Sequence, residues 1–125
     1  MMKGKVRSGK GDGKYYIGMD VYQDRFREVL GYSPFPGTLN IEVDVEERRE
    51  LEESLEGKAI TEVYRDGERL SDVTVFPCKV EEKECAALRL EKTDHPESIL
   101  ELISPHNLRE MLGLEDDDTV EITKE

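Results

Sequence analysis

Apolar side chains in this chain recur at every second position over short runs that stop at glycine, proline, asparagine or aspartate, which limits the fold to one built mainly from strands. The clearest run places Leu39, Ile41, Val43 and Val45 on one face and Asn40, Glu42 and Asp44 on the other, with Thr38 in phase with the polar set. Strands are predicted at residues 5–7, at 15–22 with Ile17, Met19 and Val21 on one side, and at 39–45. Two hairpins follow. One joins 59–64 to 68–71 through Arg65-Asp66-Gly67, whose Asp-Gly pair suits a tight turn, and the other joins 73–80 to 85–90. Residues 99–103 and 119–123 read as further strands.

Helical spacing is confined to short inserts. Asp24 is placed to cap a helix with Phe26, Val29 and Leu30 on one stripe, ended by Gly31. Residues 46–56 carry Leu51 and Leu55 four apart and stop at Gly57, and the charges between them read as a solvated face. Ser104-Pro105 reads as a helix start, with Leu108, Met111 and Leu112 as its stripe and Gly113 as its end. Six or more short strands without strand–helix alternation predict a mainly β domain, a small closed barrel with short peripheral helices, rather than a parallel α/β sheet.

With 125 residues the chain suits one domain, residues 1–125. The net charge of −12 argues against a nucleic-acid or anionic-membrane surface, so a polyanionic ligand must meet a local basic patch. Glu together with Lys and Arg in such number is also compatible with a thermophilic source. No apolar run reaches the length of a membrane span, and the first residues lack the apolar stretch of a signal peptide, so a cytoplasmic protein is expected. Cys78 and Cys85 flank a charged turn, and a reducing compartment favours two thiols. A zinc site joining them to His95 and His106 would need unusual spacing.

Three segments carry candidate chemistry. Gly31-Tyr32-Ser33-Pro34-Phe35-Pro36-Gly37-Thr38-Leu39-Asn40 reads as a rigid loop that delivers Thr38 and Asn40 at the start of a strand, or as an ordinary turn before a half-buried strand. In Ser8-Gly9-Lys10-Gly11-Asp12-Gly13-Lys14 the glycines allow backbone N–H groups near a phosphate and the lysines neutralise charge. That segment matches neither the Walker nor the Rossmann pattern and also reads as a flexible hairpin connection. His106, Asn107, Leu108 and Arg109 open a helix whose free N–H groups suit a polar ligand, or form an ordinary capped start. Thr93 and Glu101 offer a hydroxyl and a carboxylate, although Glu101 between Leu100 and Leu102 is also the exposed position of an alternating strand.

Taken in order, Gly9-x-Gly11-x-Gly13-Lys14-Tyr15-Tyr16, the Gly31 to Asn40 block, Leu70-Ser71-Asp72-Val73-Thr74-Val75-Phe76-Pro77, Leu88-Arg89-Leu90-Glu91-Lys92-Thr93-Asp94-His95, and Leu100-Glu101-Leu102-Ile103-Ser104-Pro105 with Leu108-Arg109 closely resemble the archaeal CTP-dependent riboflavin kinases. The resemblance covers essentially the whole chain. It implies a six-stranded cradle-loop barrel and transfer of the CTP γ-phosphate to the 5′-hydroxyl of riboflavin, giving FMN and CDP. By it Thr38 and Asn40 bind one Mg²⁺ with the nucleotide, Gly9, Lys10, Gly11, Asp12, Gly13 and Lys14 surround the phosphates, and His106, Asn107, Leu108 and Arg109 hold the cytidine nucleotide. Thr93 and Glu101 contact the flavin. Glu101 and Asp72 are the candidates for a general base, which the residue pattern does not single out. The DNA-binding domain that precedes this one in some members is expected to be absent, and a monomer is expected. Leu90 departs from the proline the family often has before Glu-Lys-Thr.

Overall fold

The computed structural model describes residues 2–9, 12–93 and 95–125. In chain order the elements are β1 (Met2–Arg7), α1 (Asp12–Ile17), α2 (Asp20–Leu30), β2 (Leu39–Glu42), α3 (Val45–Ser54), β3 (Lys58–Ile60), β4 (Tyr64–Arg65), β5 (Glu68–Arg69), β6 (Val73–Val80), β7 (Lys83–Leu90), β8 (Ile99–Ile103), α4 (Leu108–Met111) and β9 (Thr119–Lys124). Strands pair in the order β6-β7-β8-β2-β1-β9, and β9 returns to β6, so six antiparallel strands close a barrel. The predicted small closed barrel is therefore present.

β6 serves two neighbours on its second edge. Val73 to Val75 pair with β3 and Cys78 to Val80 with β9. Pro77 falls between those two segments, where a strand can carry a residue without an N–H.

Alternation sorts the side chains into two cores. Val6, Leu39, Ile41, Phe76, Cys78, Val80, Cys85, Ala87, Leu100, Leu102, Val120 and Ile122 form one buried cluster drawn from all six barrel strands, which is the barrel interior. The opposite parity gives Val73, Val75, Ala86, Leu88 and Ile103, which pack against Ile17, Met19, Tyr22 and Phe26 of the α1–α2 segment. The outer surface of the barrel is thus itself covered on one side, and a barrel residue of either parity can be buried.

The strand expected at 15–22 is replaced by α1 and the start of α2. Ile17, Met19, Tyr22 and Phe26 are buried, while Tyr15 and Tyr16 are exposed, so the segment presents one helical face to the barrel wall. Gln23 Nε2 donates to the carbonyls of Ile17 at 2.5 Å and Pro34 at 3.0 Å, tying the helices to the following loop. α2 starts before Asp24, at Asp20, and Gly31 ends it at φ 81°, as its C-terminal glycine predicts. Asp12, Gly13 and Lys14, expected in a loop, belong to α1; Lys10 and Gly11 lie outside the described residues.

Other differences are smaller. The strand expected over 59–64 stops at Ile60, and Glu62 has φ 55°, but the Asp66-Gly67 hairpin forms with both residues left-handed, at φ 52° and 80°. α3 starts one residue earlier than expected, its first N–H groups capped by Asp44, whose carboxylate accepts from Glu47 N. α4 begins after Asn107 rather than at Pro105: Ser104 Oγ donates to Glu84 O and, among the described residues, accepts only from His106 N, while Asn107 Oδ1 accepts from Glu110 N and caps the helix.

Candidate functional site

Strand register places the candidate residues in one row. Arg7 pairs with Asn40, Asn40 with Glu101, Glu101 with Leu88 and Leu88 with Val75, across β1, β2, β8, β7 and β6. Directly opposed residues share a face. Since Leu88 and Val75 belong to the covered outer face, Asn40 and Glu101 also project from the outside of the barrel, at the edge of that apolar layer. Glu101, read as exposed from alternation, is only 7% exposed.

Thr38, two residues before Asn40, completes the group. Its Oγ1 donates to Glu101 Oε1 at 3.4 Å, and His95 Nε2 lies 3.8 Å from the same oxygen. Thr93 Oγ1 accepts from the backbone N–H of His95 at 3.1 Å, so Thr93, His95 and Glu101 are brought together although the loop between them is irregular.

Two clefts meet here. One, about 440 Å³ and open to solvent, is lined by Phe35, Gly37, Thr38, His106, Asn107 and Arg109 among others. The second, about 320 Å³, is lined by Arg48, Arg89, Thr93, His95, Glu97 and Glu101 among others. Thr38 belongs to the first and Glu101 to the second, so the Thr38–Glu101 hydrogen bond is the partition between them.

Asn40 is 8% exposed, and its Oδ1 is buried without a hydrogen-bond partner among the described residues. Leaving a buried amide oxygen unpaired is costly, which marks it as an acceptor reserved for something else. The other end of that amide packs on Gly9: a Cβ built there would stand 2.2 Å from Asn40 Nδ2. Gly9→Ala therefore forces either the backbone or the Asn40 amide to move. For the kinase that the sequence resemblance implies, turnover of this variant is expected to fall by roughly tenfold or more; steady-state rates equal to wild type would show that the Asn40 orientation is immaterial.

Oxygen donors of Thr38 and Asn40 fit a hard cation such as Mg²⁺, which commonly uses few protein ligands and keeps waters and phosphate oxygens. Among the described residues no group of three or more His, Cys, Asp or Glu could hold a metal ion. Cys78 and Cys85 are opposed inside the barrel with Sγ atoms 3.5 Å apart, while His95 and His106 line the two separate clefts, so the zinc arrangement does not assemble.

The two segments expected to hold nucleotide are linked by one carboxylate. Arg109 Nη2 donates to Asp116 Oδ1 at 2.6 Å, and Ser8 Oγ donates to Asp116 at 2.8–2.9 Å, joining α4 to the start of the glycine segment. Arg109 is thus already paired, its Nη1 also donating to Leu114 O at 3.4 Å, and at 40% side-chain exposure it lines the first cleft. The Arg109 guanidinium and, after it, the Ser8 hydroxyl hold the Asp116 carboxyl below its ordinary 3.8. A carboxylate with a depressed pKa contributes stability above its unfolded value, lost as pH falls through the folded one. Asp116→Asn is accordingly expected to flatten the stability profile below pH 3.8, read by thermal melts across acid pH; an unchanged acid limb would refute the link.

Asp72, the alternative base candidate, is elsewhere: it pairs with Arg69 at 2.8 Å and lines neither cleft. The sequence reading missed Arg48. Treated as part of a solvated charge run, it is 5% exposed and lines the second cleft, with burial lowering its pKa against the opposing pull of Glu52. A signal was present, since Arg48 lies on the same stripe as Leu51 and Leu55.

A family model named for CTP-dependent riboflavin kinases, and described as a domain of unknown function, DUF120, matches residues 6–123. The chain is 41% identical to the riboflavin kinase of Archaeoglobus fulgidus over 97% of its own length and 53% of the relative's. It is 43% identical to that of Ignicoccus hospitalis over 97% of its length and 69% of the relative's, and 38% identical to that of Sulfolobus acidocaldarius over 97% and 79%. The chain therefore spans about half the length of the first of these. Matched over nearly all of its residues, the chain belongs to the CTP-dependent riboflavin kinase family.

Proposed function

We propose that the chain transfers the γ-phosphate of CTP to the 5′-hydroxyl of riboflavin, producing FMN and CDP. The observation that carries this reading is the junction of two clefts at Thr38, Asn40 and Glu101. Phosphoryl transfer needs an acceptor oxygen and a terminal phosphate brought together in line from two substrates, with the charge on the phosphate neutralised. A shared wall of oxygen groups between two open clefts meets that requirement.

The nucleotide occupies the cleft of Thr38 and His106 to Arg109, and the glycine and lysine composition of residues 9–14 suits its phosphates. The flavin occupies the cleft of Thr93 and Glu101. Asn40 Oδ1 and the Thr38 hydroxyl would hold Mg²⁺, which when bound supplies positive charge to the phosphate oxygens. Glu101, directly across from Asn40 and beside Thr38, stands where an acceptor hydroxyl enters and accepts its hydrogen bond, holding that oxygen toward the phosphate. The loose transition state of phosphoryl transfer asks more of this positioning than of a strong base.

An acidic chain suits small substrates met by local cations better than a polynucleotide. No helix among the described residues is long and apolar enough to cross a membrane. The test is FMN formation from riboflavin with Mg²⁺ and either CTP or ATP, with products resolved chromatographically. FMN and CDP from CTP alone are expected. FMN from ATP alone overturns the donor, and binding of riboflavin without any product overturns the kinase in favour of a flavin-binding module.

A further inference from the structure

The ladder between β7 and β8 is short: it runs from Ala86↔Ile103 to Leu88↔Glu101 and then ends, although β7 continues to Leu90 and β8 begins at Ile99. Where the strands part, a single guanidinium takes up the carbonyls. Arg48 Nη2 donates to Leu88 O at 3.2 Å, and Arg48 Nη1 donates to Ile99 O at 3.0 Å and Glu97 O at 2.8 Å.

Arg48 is set from behind by an ion-pair chain. Its Nε lies 3.6 Å from Glu52 Oε2, and Arg89 grips the same carboxylate with Nε at 2.9 Å and Nη2 at 2.6 Å. Burying a guanidinium carries a heavy desolvation cost, and a continued ladder would satisfy strand carbonyls with backbone N–H groups and no buried charge. What the buried arginine provides that a ladder would not is the gap. That gap is the cleft lined by Thr93, His95 and Glu101.

The three acceptors belong to the backbone next to Glu101 in register or in sequence. Leu88 is directly opposite Glu101, Ile99 lies two residues before it, and Glu97 closes the loop that carries Thr93 and His95. We infer that Arg48 is a positioning residue for the flavin cleft: it wedges β7 from β8 and fixes the backbone on both sides of Glu101 and at the end of the 91–98 loop. The inference rests on the kinase reading above. None of the three carbonyl-bearing residues lines the cleft of Thr38 and His106 to Arg109, which Arg48 reaches only through the Glu101–Thr38 hydrogen bond, so the larger effect falls on the flavin.

The experiment uses Arg48→Met and Arg48→Lys, with KM for riboflavin and for CTP measured separately and riboflavin binding followed by quenching of its fluorescence. Arg48→Met is expected to raise the riboflavin KM by roughly tenfold or more while the CTP KM stays within about twofold. Lysine keeps the charge but cannot bridge both strands in a planar fork, so Arg48→Lys falls between methionine and wild type. If Arg48→Met does not fold, the lysine variant carries the same comparison. Equal increases in both KM values, or no increase in either, overturn the assignment and leave Arg48 a fold residue only. Unaltered riboflavin binding in variants of an active wild type sinks Arg48 alone, whereas wild type that neither binds nor phosphorylates riboflavin sinks the kinase reading and this inference with it.

Discussion

Asn40→Ala is expected to lower kcat by roughly 10²–10³-fold, the scale on which removing one group that stabilises developing charge acts, while leaving thermal stability unchanged or slightly raised. The two halves of this expectation have one cause. Asn40 Oδ1 is buried with no partner among the described residues, so deleting it removes an unpaired buried acceptor, which offsets the loss of the amide's packing on Gly9. A residue kept for packing would behave the opposite way, with stability falling and the chemistry of the remaining folded protein intact. Asn40→Asp is the informative companion. It sets a carboxylate directly across from Glu101, and two like charges at that separation disfavour joint ionisation. Added Mg²⁺ should therefore raise the melting temperature of Asn40→Asp more than that of wild type. Near-normal kcat for Asn40→Ala would remove both the metal assignment and the placement of phosphoryl transfer at this junction.

How far the site could be read from residue order depends on the distance over which the signal travels. Thr38 and Asn40 share a face by simple alternation, and the prolines before them announce a fixed approach, so this pair was legible. Its link to Glu101 spans 63 residues and depends on β2 pairing with β8, a register that local pattern does not contain. Glu101 looked exposed because alternation distinguishes only two faces, and it carries no information that Thr38 and His95, from two separate loops, close over that position. Those helices were misread for a related reason. Ile17, Met19 and Val21 happen to alternate, and only packing on the barrel wall selects the helical set Ile17, Tyr22 and Phe26 instead. The barrel strands were legible because each has one face in a single apolar interior.

Phe26→Ala tests whether the outer layer is a structural half of the protein or an ornament on a self-sufficient barrel. Phe26 is fully buried, stacks on Tyr22 with ring centroids 6.0 Å apart, and shares its cluster with Ile60, Val73, Val75, Leu88 and Ile103. Deleting such a ring leaves a cavity and costs about 3–5 kcal/mol, against a total of about 5–15 kcal/mol for a domain. At roughly 4 °C per kcal/mol for a chain of this length, the melting temperature should drop by about 10–20 °C. The damage should also reach the site. Gln23 in the same helix holds the Pro34 carbonyl, so α2 anchors the loop that delivers Thr38 on one side, while Phe35 N, donating to Ser104 O at 2.8 Å, ties it to the end of β8. Hydrogen exchange should then show α2 and residues 31–38 opening ahead of β6 and β7, with activity lost at temperatures where the barrel amides are still protected. A melt within a degree of wild type, or simultaneous loss of protection in α2 and the barrel strands, would mean that the outer layer does not open as a separate unit and that the loop delivering Thr38 takes its order from the barrel alone.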